Sequence, residues 1–477
     1  MTKQLDVSNI RPNVRKVEFR LKDEVVDRAL SYKKLFEDKD PKTSELKFPD
    51  LVFFNVGDAH VAGQKPISFY RQVLAMIAYP PLMDNPPAGI PEDAVQRARV
   101  LHKASAGLGA YSGAQGLLHV RQTCAKFIEK RDGFASDANN IILTDGSYDA
   151  LKIGFELLIR DERDTILIPA PGYPLYSAVI REIGGIPQHY FLEDKHQFNP
   201  QVDELKRVYE QAESKGQKIR AIVINNPGNP AGNVLSRETL VQLLKFAKEK
   251  NIVVMADEVY QVNAYDIKAP FVSLRKISKE EDIQVEMLSF QSTSKGFSAE
   301  CGVRGGYIEF YNVDGNTVKE AVKLVSVRLS PNTTGQIILD LACDPPTEGQ
   351  ASYPLFHEES EAIMGQLRRK AKAIEDSFNS MNGTSCAEIK GSLFAFPQIH
   401  FSEKALQSAK EAGLSPDTFY ASQLLDATGV CVSSGNIFGQ KEGTYHIRLT
   451  LMPTEDRVKV ALDRIKTFNE EFYRKYQ

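Results

Sequence analysis

The sequence predicts an α/β chain of two domains: a large, doubly wound, mostly parallel sheet domain and a smaller α+β domain built from both chain ends. Three observations point there. At 477 residues the chain exceeds what one hydrophobic core usually serves. From about Asn140 short β-rich runs alternate with amphipathic helical stretches, as a parallel sheet covered on both faces requires. Polar turn residues follow each of those runs, where ligands gather in open α/β sheets. The expected divisions are an N-terminal arm with part of the smaller domain over 1–90, the large domain over 91–345, and the rest of the smaller domain over 346–477.

Taken in order, Ile141 to Thr144 reads as a strand, and Ala150, Ile153, Gly154, Leu157 and Leu158 then fall at helical spacing. Thr165 to Ile168 is a strand ending in Pro169-Ala170-Pro171-Gly172-Tyr173-Pro174. A helix follows around Val202 to Ala212, then a strand over Ile219 to Ile224 that breaks at Asn225-Asn226-Pro227-Gly228-Asn229-Pro230. Ser236 is placed to cap a helix whose apolar face is Leu240, Leu243, Leu244 and Ala247. Ile252 to Ala256 comes roughly 30 residues after the previous strand, the repeat of a β-α-β unit. Met287 to Gln291 and Val303 to Phe310 read as further strands. Beyond Pro345-Pro346 come a charged helix, Glu361 to Phe378, strand-like Ser392 to Phe396 and Tyr445 to Leu451, and a closing helix near Val458 to Phe472. There is no internal repeat or low-complexity tract.

Composition narrows the function classes. Hydrophobic residues make up 42% and charged residues 25%, which argues against disorder, and a formal net charge of -3 offers no basic field for nucleic acid or anionic lipid. The five cysteines are scattered, with no C-x-x-C pair, as free thiols in a reducing compartment would be. The eight histidines show no metal-ligand spacing, and His357-Glu358-Glu359 lacks a second histidine, so no metal is expected. No stretch approaches the roughly 18 apolar residues of a membrane span. Met1 to Val14 resembles neither a secretory nor a transit peptide, which makes the cytoplasm the default location. Two Asn-x-Thr acceptors, at Asn332 and Asn382, are read as chance matches.

The strand ends carry the chemistry. Lys295 stands in Ser292-Thr293-Ser294-Lys295-Gly296-Phe297, Arg304 follows, and Asp257-Glu258-Val259-Tyr260 ends the apolar run Val253 to Ala256. Together these supply what pyridoxal 5'-phosphate needs. Lys295 offers an amine for its aldehyde, Ser292, Ser294 and Arg304 hold a phosphate dianion, and Asp257 keeps the pyridine nitrogen protonated. At the mouth of a buried strand Asp257 needs a cationic partner in any case; a helix cap or ion pair would also provide one. Tyr260 and Asn229 are placed to reach the ring's phenolic oxygen, though a tyrosine is often simply packed and an Asn-Pro-Gly run is often only a turn. Gly146, Ser147 and Tyr148 lie between a strand and a helix, where free amides and the helix dipole can cradle an anion. Tyr173 could stack on the pyridine face. Arg448, within Tyr445 to Thr450, matches a carboxylate in bidentate geometry or points to solvent.

As a set these residues resemble the fold-type I pyridoxal-phosphate aminotransferases and, among them, the alanine aminotransferase family. The likeness spans nearly the whole chain, including Asn55-Val56-Gly57-Asp58-Ala59-His60, Ala110-Tyr111-Ser112, Pro174 to Ala178, Glu300 to Tyr307 and Phe438 to His446. It implies that Lys295 is the lysine joined to the cofactor, that Asp257 pairs with the ring nitrogen, that Tyr260 and Asn229 contact the phenolic oxygen and that Tyr173 stacks on the ring. It further implies that Arg448 binds the substrate carboxylate, with Asn229 and the Gly57 backbone nearby. A homodimer is implied as well, with Tyr111 of each subunit reaching the other's phosphate. The implied reaction is ping-pong transfer of an amino group between L-alanine and 2-oxoglutarate. Alternatives are glutamate:glyoxylate or another alanine-using transfer, a lyase of the same fold, or a non-catalytic cofactor-binding regulator. Two departures stand out: Tyr148 replaces an expected serine, so only its amide should count, and Ser433-Ser434-Gly435-Asn436-Ile437 lacks the family's proline- and glycine-bearing run.

Overall fold

The computed structural model describes residues 5–17, 24–266 and 270–477. Its centre is a seven-stranded sheet in the order Ile141–Thr144, Gly306–Tyr311, Met287–Ser292, Val253–Asp257, Lys218–Asn225, Asp164–Ala170, Ile186–Phe191. Neighbours pair in parallel except at Gly306–Tyr311, which runs against both strands beside it. The four strands Ile141–Thr144, Asp164–Ala170, Met287–Ser292 and Gly306–Tyr311 are buried along their whole length, as a sheet covered on both faces demands. The α/β, mostly parallel expectation therefore holds.

One face packs against the Ser147–Leu158, Leu175–Ile183 and Gly315–Ser326 helices through Ile153, Phe155, Val179, Met255, Phe290 and Val318. The other packs against Val202–Ser214, Arg237–Lys250 and Leu274–Glu280 through Leu205, Ile222, Leu243, Val254 and Ile277. Ser236 caps its helix as expected, its hydroxyl accepting from the Thr239 amide at 3.2 Å.

A second core is assembled from both chain ends. Val25, Val26, Val52 and Phe54 pack with Leu367, Ile374, Phe378, Leu425, Ile447, Val458, Ile465 and Phe472. Its strands are short: Val52–Phe53 pairs with Val430–Cys431, and Ile447–Thr450 lies between Phe394–Ala395 and Ser433–Ser434. Long helices, Tyr353–Ser380 and Glu455–Lys475, cover it. A further core joins the Ser68–Ala78 and Glu92–Ser105 helices to Ile337, Ile338, Leu341 and Phe356.

Sequence periodicity passed over the Leu175–Ile183 helix and the Ile186–Phe191 strand. That strand is one of the sheet's two edges, half-exposed along most of its length and interrupted by Pro187, so it shows neither alternation nor a continuous apolar run. The expected Val303 start also moves: Val303 sits in a short helical turn, and the strand begins at Gly306 after Arg304 has taken φ +57°.

Candidate active site

Five loops meet beyond the carboxyl ends of the parallel strands. The Val253–Asp257 strand delivers Asp257 to its tip, 3% exposed. Its Oδ2 accepts a hydrogen bond from the Tyr176 hydroxyl, and its Oδ1 is buried with no hydrogen-bond partner. Burial raises its carboxyl above the ordinary range, while Tyr176, the Val259 amide and the charge of Lys295 pull it back. A buried acceptor of this kind is complementary to a cation.

Across the cleft, Lys295 follows the Met287–Ser292 strand in a turn, its Nζ 5.4 Å from the centre of the Tyr260 ring. Burial, then the nearby Asp257, pushes the Tyr260 phenol up, and the Asn229 side chain hydrogen-bonds it. Asn229 is itself fixed by its amide, which donates to Asn225 Oδ1 at 2.8 Å, while Asn225 Nδ2 donates to the Asp257 carbonyl at 3.0 Å. The Asn225 to Pro230 turn is thereby tied to the Asp257 strand end. Asn229 Oδ1 stays buried without a partner. Tyr173 lies edge-on to Tyr176, ring centres 5.8 Å apart, and burial raises its phenol too.

An anion cradle forms beside Lys295. Gly146, at φ +85°, opens the Ser147–Leu158 helix, leaving the Ser147 and Tyr148 amides in its first turn. The Arg304 guanidinium presses against Gly146 so closely that a Cβ there would clash with it. Arg304 Nη2 donates to the Asp145 carbonyl at 3.1 Å, and Nη1 donates to the Cys301 carbonyl at 2.9 Å and to Ser294 Oγ at 3.4 Å. Ser292 Oγ accepts from the Ser294 amide at 3.1 Å. The Tyr148 side chain is 39% exposed, consistent with a contribution through its backbone only. Tyr111 is 81% exposed and stands apart from this cluster, although the carbonyl of Ala110 accepts from Thr333 Oγ1 at 3.2 Å and Ser112 Oγ accepts from Gln336 Nε2 at 3.1 Å.

Arg448 enters from the second core on the Ile447–Thr450 strand and is 5% exposed. Its guanidinium lies between the Phe394 and Phe438 rings, 4.4 and 4.7 Å from their centres, and Nη2 donates to the Asn55 carbonyl at 3.1 Å. Gly57 sits nearby, where a Cβ would stand 3.6 Å from the Phe394 ring.

The folded chain thus brings Lys295, Asp257, Tyr260, Asn229, Tyr173, Ser292, Ser294, Arg304, Gly146 and Ser147 to one end of the sheet, and Arg448 with Gly57 to the facing wall. Chemically, the arrangement can hold a dianion, a ring cation and a carboxylate around one amine. Sequence reasoning missed three contributors. Tyr176 was quoted only inside a motif, yet it stands one helical turn from Tyr173 and reaches Asp257. Phe394 and Phe438 carry no local signal, because the sandwich around Arg448 exists only once distant segments pair.

A family model for aminotransferases of class I and II matches residues 81–465. Glutamate–glyoxylate aminotransferase 2 of Arabidopsis thaliana is 41% identical over 99% of this chain and 98% of its own. Alanine aminotransferase 1 of Bos taurus is 39% identical over 99% and 96%. Among solved structures, alanine aminotransferase from Pyrococcus furiosus superposes with a TM-score of 0.75 over 97% of this chain and all of that one, at 21% identity, a likeness of fold.

Proposed function

Because the chain belongs to the class I and II aminotransferases, we propose that this transaminase moves an amino group between L-alanine and 2-oxoglutarate, yielding pyruvate and L-glutamate. The observation that carries this reading is the 39% identity to bovine alanine aminotransferase 1 across 99% of this chain. The cofactor of this family is pyridoxal 5'-phosphate, and the residues present fit it. The unpartnered Asp257 Oδ1 and Asn229 Oδ1, together with the Gly146 turn at φ +85° against Arg304, are what such a molecule would satisfy.

When bound, that cofactor supplies an aldehyde that condenses with amines, a ring that takes up an electron pair, and a carrier for the amino group between two substrates. The chain does the rest. Gly146, Ser147 and the Tyr148 amide, with Ser292, Ser294 and Arg304, would hold its phosphate; Tyr111 would add a contact from the neighbouring subunit. Asp257, oriented by Tyr176, keeps the ring nitrogen cationic. Tyr260 and Asn229 would meet the phenolic oxygen, and Tyr173 would stack on the ring. Arg448 grips the substrate α-carboxylate beside Gly57, which fixes the direction of the Cα–H bond. Lys295 then takes the α-proton on Nζ and carries it away from Cα within the same half-reaction. Product leaves before the second oxo acid enters, so kinetics are ping-pong.

A coupled assay for pyruvate with L-alanine and 2-oxoglutarate tests the reading, and absence of pyruvate overturns it. Glutamate:glyoxylate transfer is the second reading, favoured by the 41% identity to the Arabidopsis protein; substituting glyoxylate as acceptor separates the two. We also place the enzyme in the cytoplasm as a homodimer with divisions near residues 90 and 345. The exposed Tyr111 and five free cysteines support this. No helix among the described residues is long and apolar enough to cross a membrane. Sedimentation velocity should give twice the 53.2 kDa chain mass.

A further inference from the structure

The segment Phe438 to His446 lies beside the cleft, and none of its polar side chains has a part in the chemistry above. Its polar groups form one continuous chain. Asp417, fully buried on the Pro416–Thr428 helix, accepts from the Asn436 amide and, at 3.0 Å, from Gln440 Nε2. That fixes the Gln440 amide orientation, so Gln440 Oε1 faces His446 Nδ1 at 2.8 Å. On its other side His446 Nε2 meets Asp194 Oδ2 at 2.9 Å, after the edge strand of the main sheet. The ring itself is 1% exposed and stacked on Phe396, centres 4.5 Å apart and planes 4° apart.

The segment held this way touches both walls of the cleft. The Phe438 carbonyl accepts from the Gly172 amide at 2.8 Å, directly before Tyr173. The Phe438 ring is one side of the Arg448 sandwich, and Phe438 and Tyr173 share the wall of a cavity of about 320 Å³.

We propose that His446, through Gln440 and Asp194, is a positioning residue that holds Phe438 against Arg448 and so sets the affinity for the substrate carboxylate. This rests on the assignment of Arg448 above. Both bonds of His446 run to side-chain oxygens on different elements, so the ring ties the segment to the end of the main sheet. Asp194 is in contact and Asp417 lies behind Gln440. Glu193, next to Asp194, is neutralised by Lys195 and Lys441, each at 3.2 Å. The Phe396 and Phe198 rings carry no charge. Losing either bond should loosen Phe438 from Arg448 and weaken the grip on the carboxylate.

The test compares wild type with Asp194→Asn and His446→Gln. Asp194 is partly exposed, so its variant should fold. In Asp194→Asn, KM for the amino acid should rise roughly tenfold over wild type, the size of one lost charge-assisted hydrogen bond, with kcat little changed. His446→Gln, which cannot bridge Gln440 and Asp194, should raise KM at least as far, again with kcat little changed. Titration calorimetry with maleate, a dicarboxylate that does not react, reads the same site without turnover and should weaken in the same order. A wild type inactive with every amino acid sinks the functional reading while the maleate affinities still decide the clasp. Maleate binding that is absent, or equally tight in all three proteins, overturns the proposal.

Discussion

Lys295→Ala should abolish turnover, and reductive trapping with borohydride followed by peptide mapping should lose its labelled lysine peptide. Tyr176→Phe is the more informative change. It removes one hydrogen bond to a buried carboxylate, about 1.5–3 kcal/mol, so kcat/KM should fall about 10- to 100-fold with the fold intact; an unchanged rate would mean that Asp257 needs no orienting partner. Lys295, Asp257, Asn229 and Arg304 were legible because each stands where a strand gives way to polar turn residues, and the chemistry of an amine, an acid and a guanidinium at such places is specific. Tyr176 was not legible, because nothing in Pro174 to Ala178 says which carboxylate its hydroxyl will meet. That partner is supplied by the pairing of distant strands.

At the level of elements, the turn that opens the Ser147–Leu158 helix is the weak point of the anion cradle. Gly146 sits at φ +85° with the Arg304 guanidinium pressed against it, so Gly146→Ala should reduce cofactor retention on dialysis, followed by absorbance. Gly133→Ala is the control. Its φ is +81° but nothing lies within 4 Å of a Cβ there, so it should cost only about 1 kcal/mol of stability and leave retention unchanged. Strand positions were readable to within a few residues where burial on both faces writes a continuous apolar run, as in Ala221 to Ile224. The Ile186–Phe191 strand was not, because an edge with Pro187 and half-exposed side chains leaves no such run. The short pairs of the second core, Val52–Phe53 and Val430–Cys431, are too brief to have a period at all.

Across the whole molecule, two buried titratable groups predict how stability follows pH. Burial pushes Glu258 from 4.5 up to about 8, so the folded chain holds a proton that the unfolded chain has released, and stability falls as pH rises through that window. Burial pushes Lys370 from 10.5 down to about 8, so between about 8 and 10.5 the unfolded chain holds the extra proton and stability rises with pH. Thermal melts should therefore decline toward pH 8, and Glu258→Gln should flatten that decline; a melt curve identical in slope would refute the assignment. The sequence spoke for two cores and for the sheet, but not for how Arg448, Asn55 and Phe438 are gathered from opposite chain ends. Ser292, Ser294, Lys295 and Arg304 all stand at or on a single connection between two adjacent antiparallel strands, whereas Arg448 comes from the other core. Under the roles proposed for these residues, the coenzyme's seat and the carboxylate's seat are mounted on separate chassis, so changes confined to the chain ends would reach the second and spare the first.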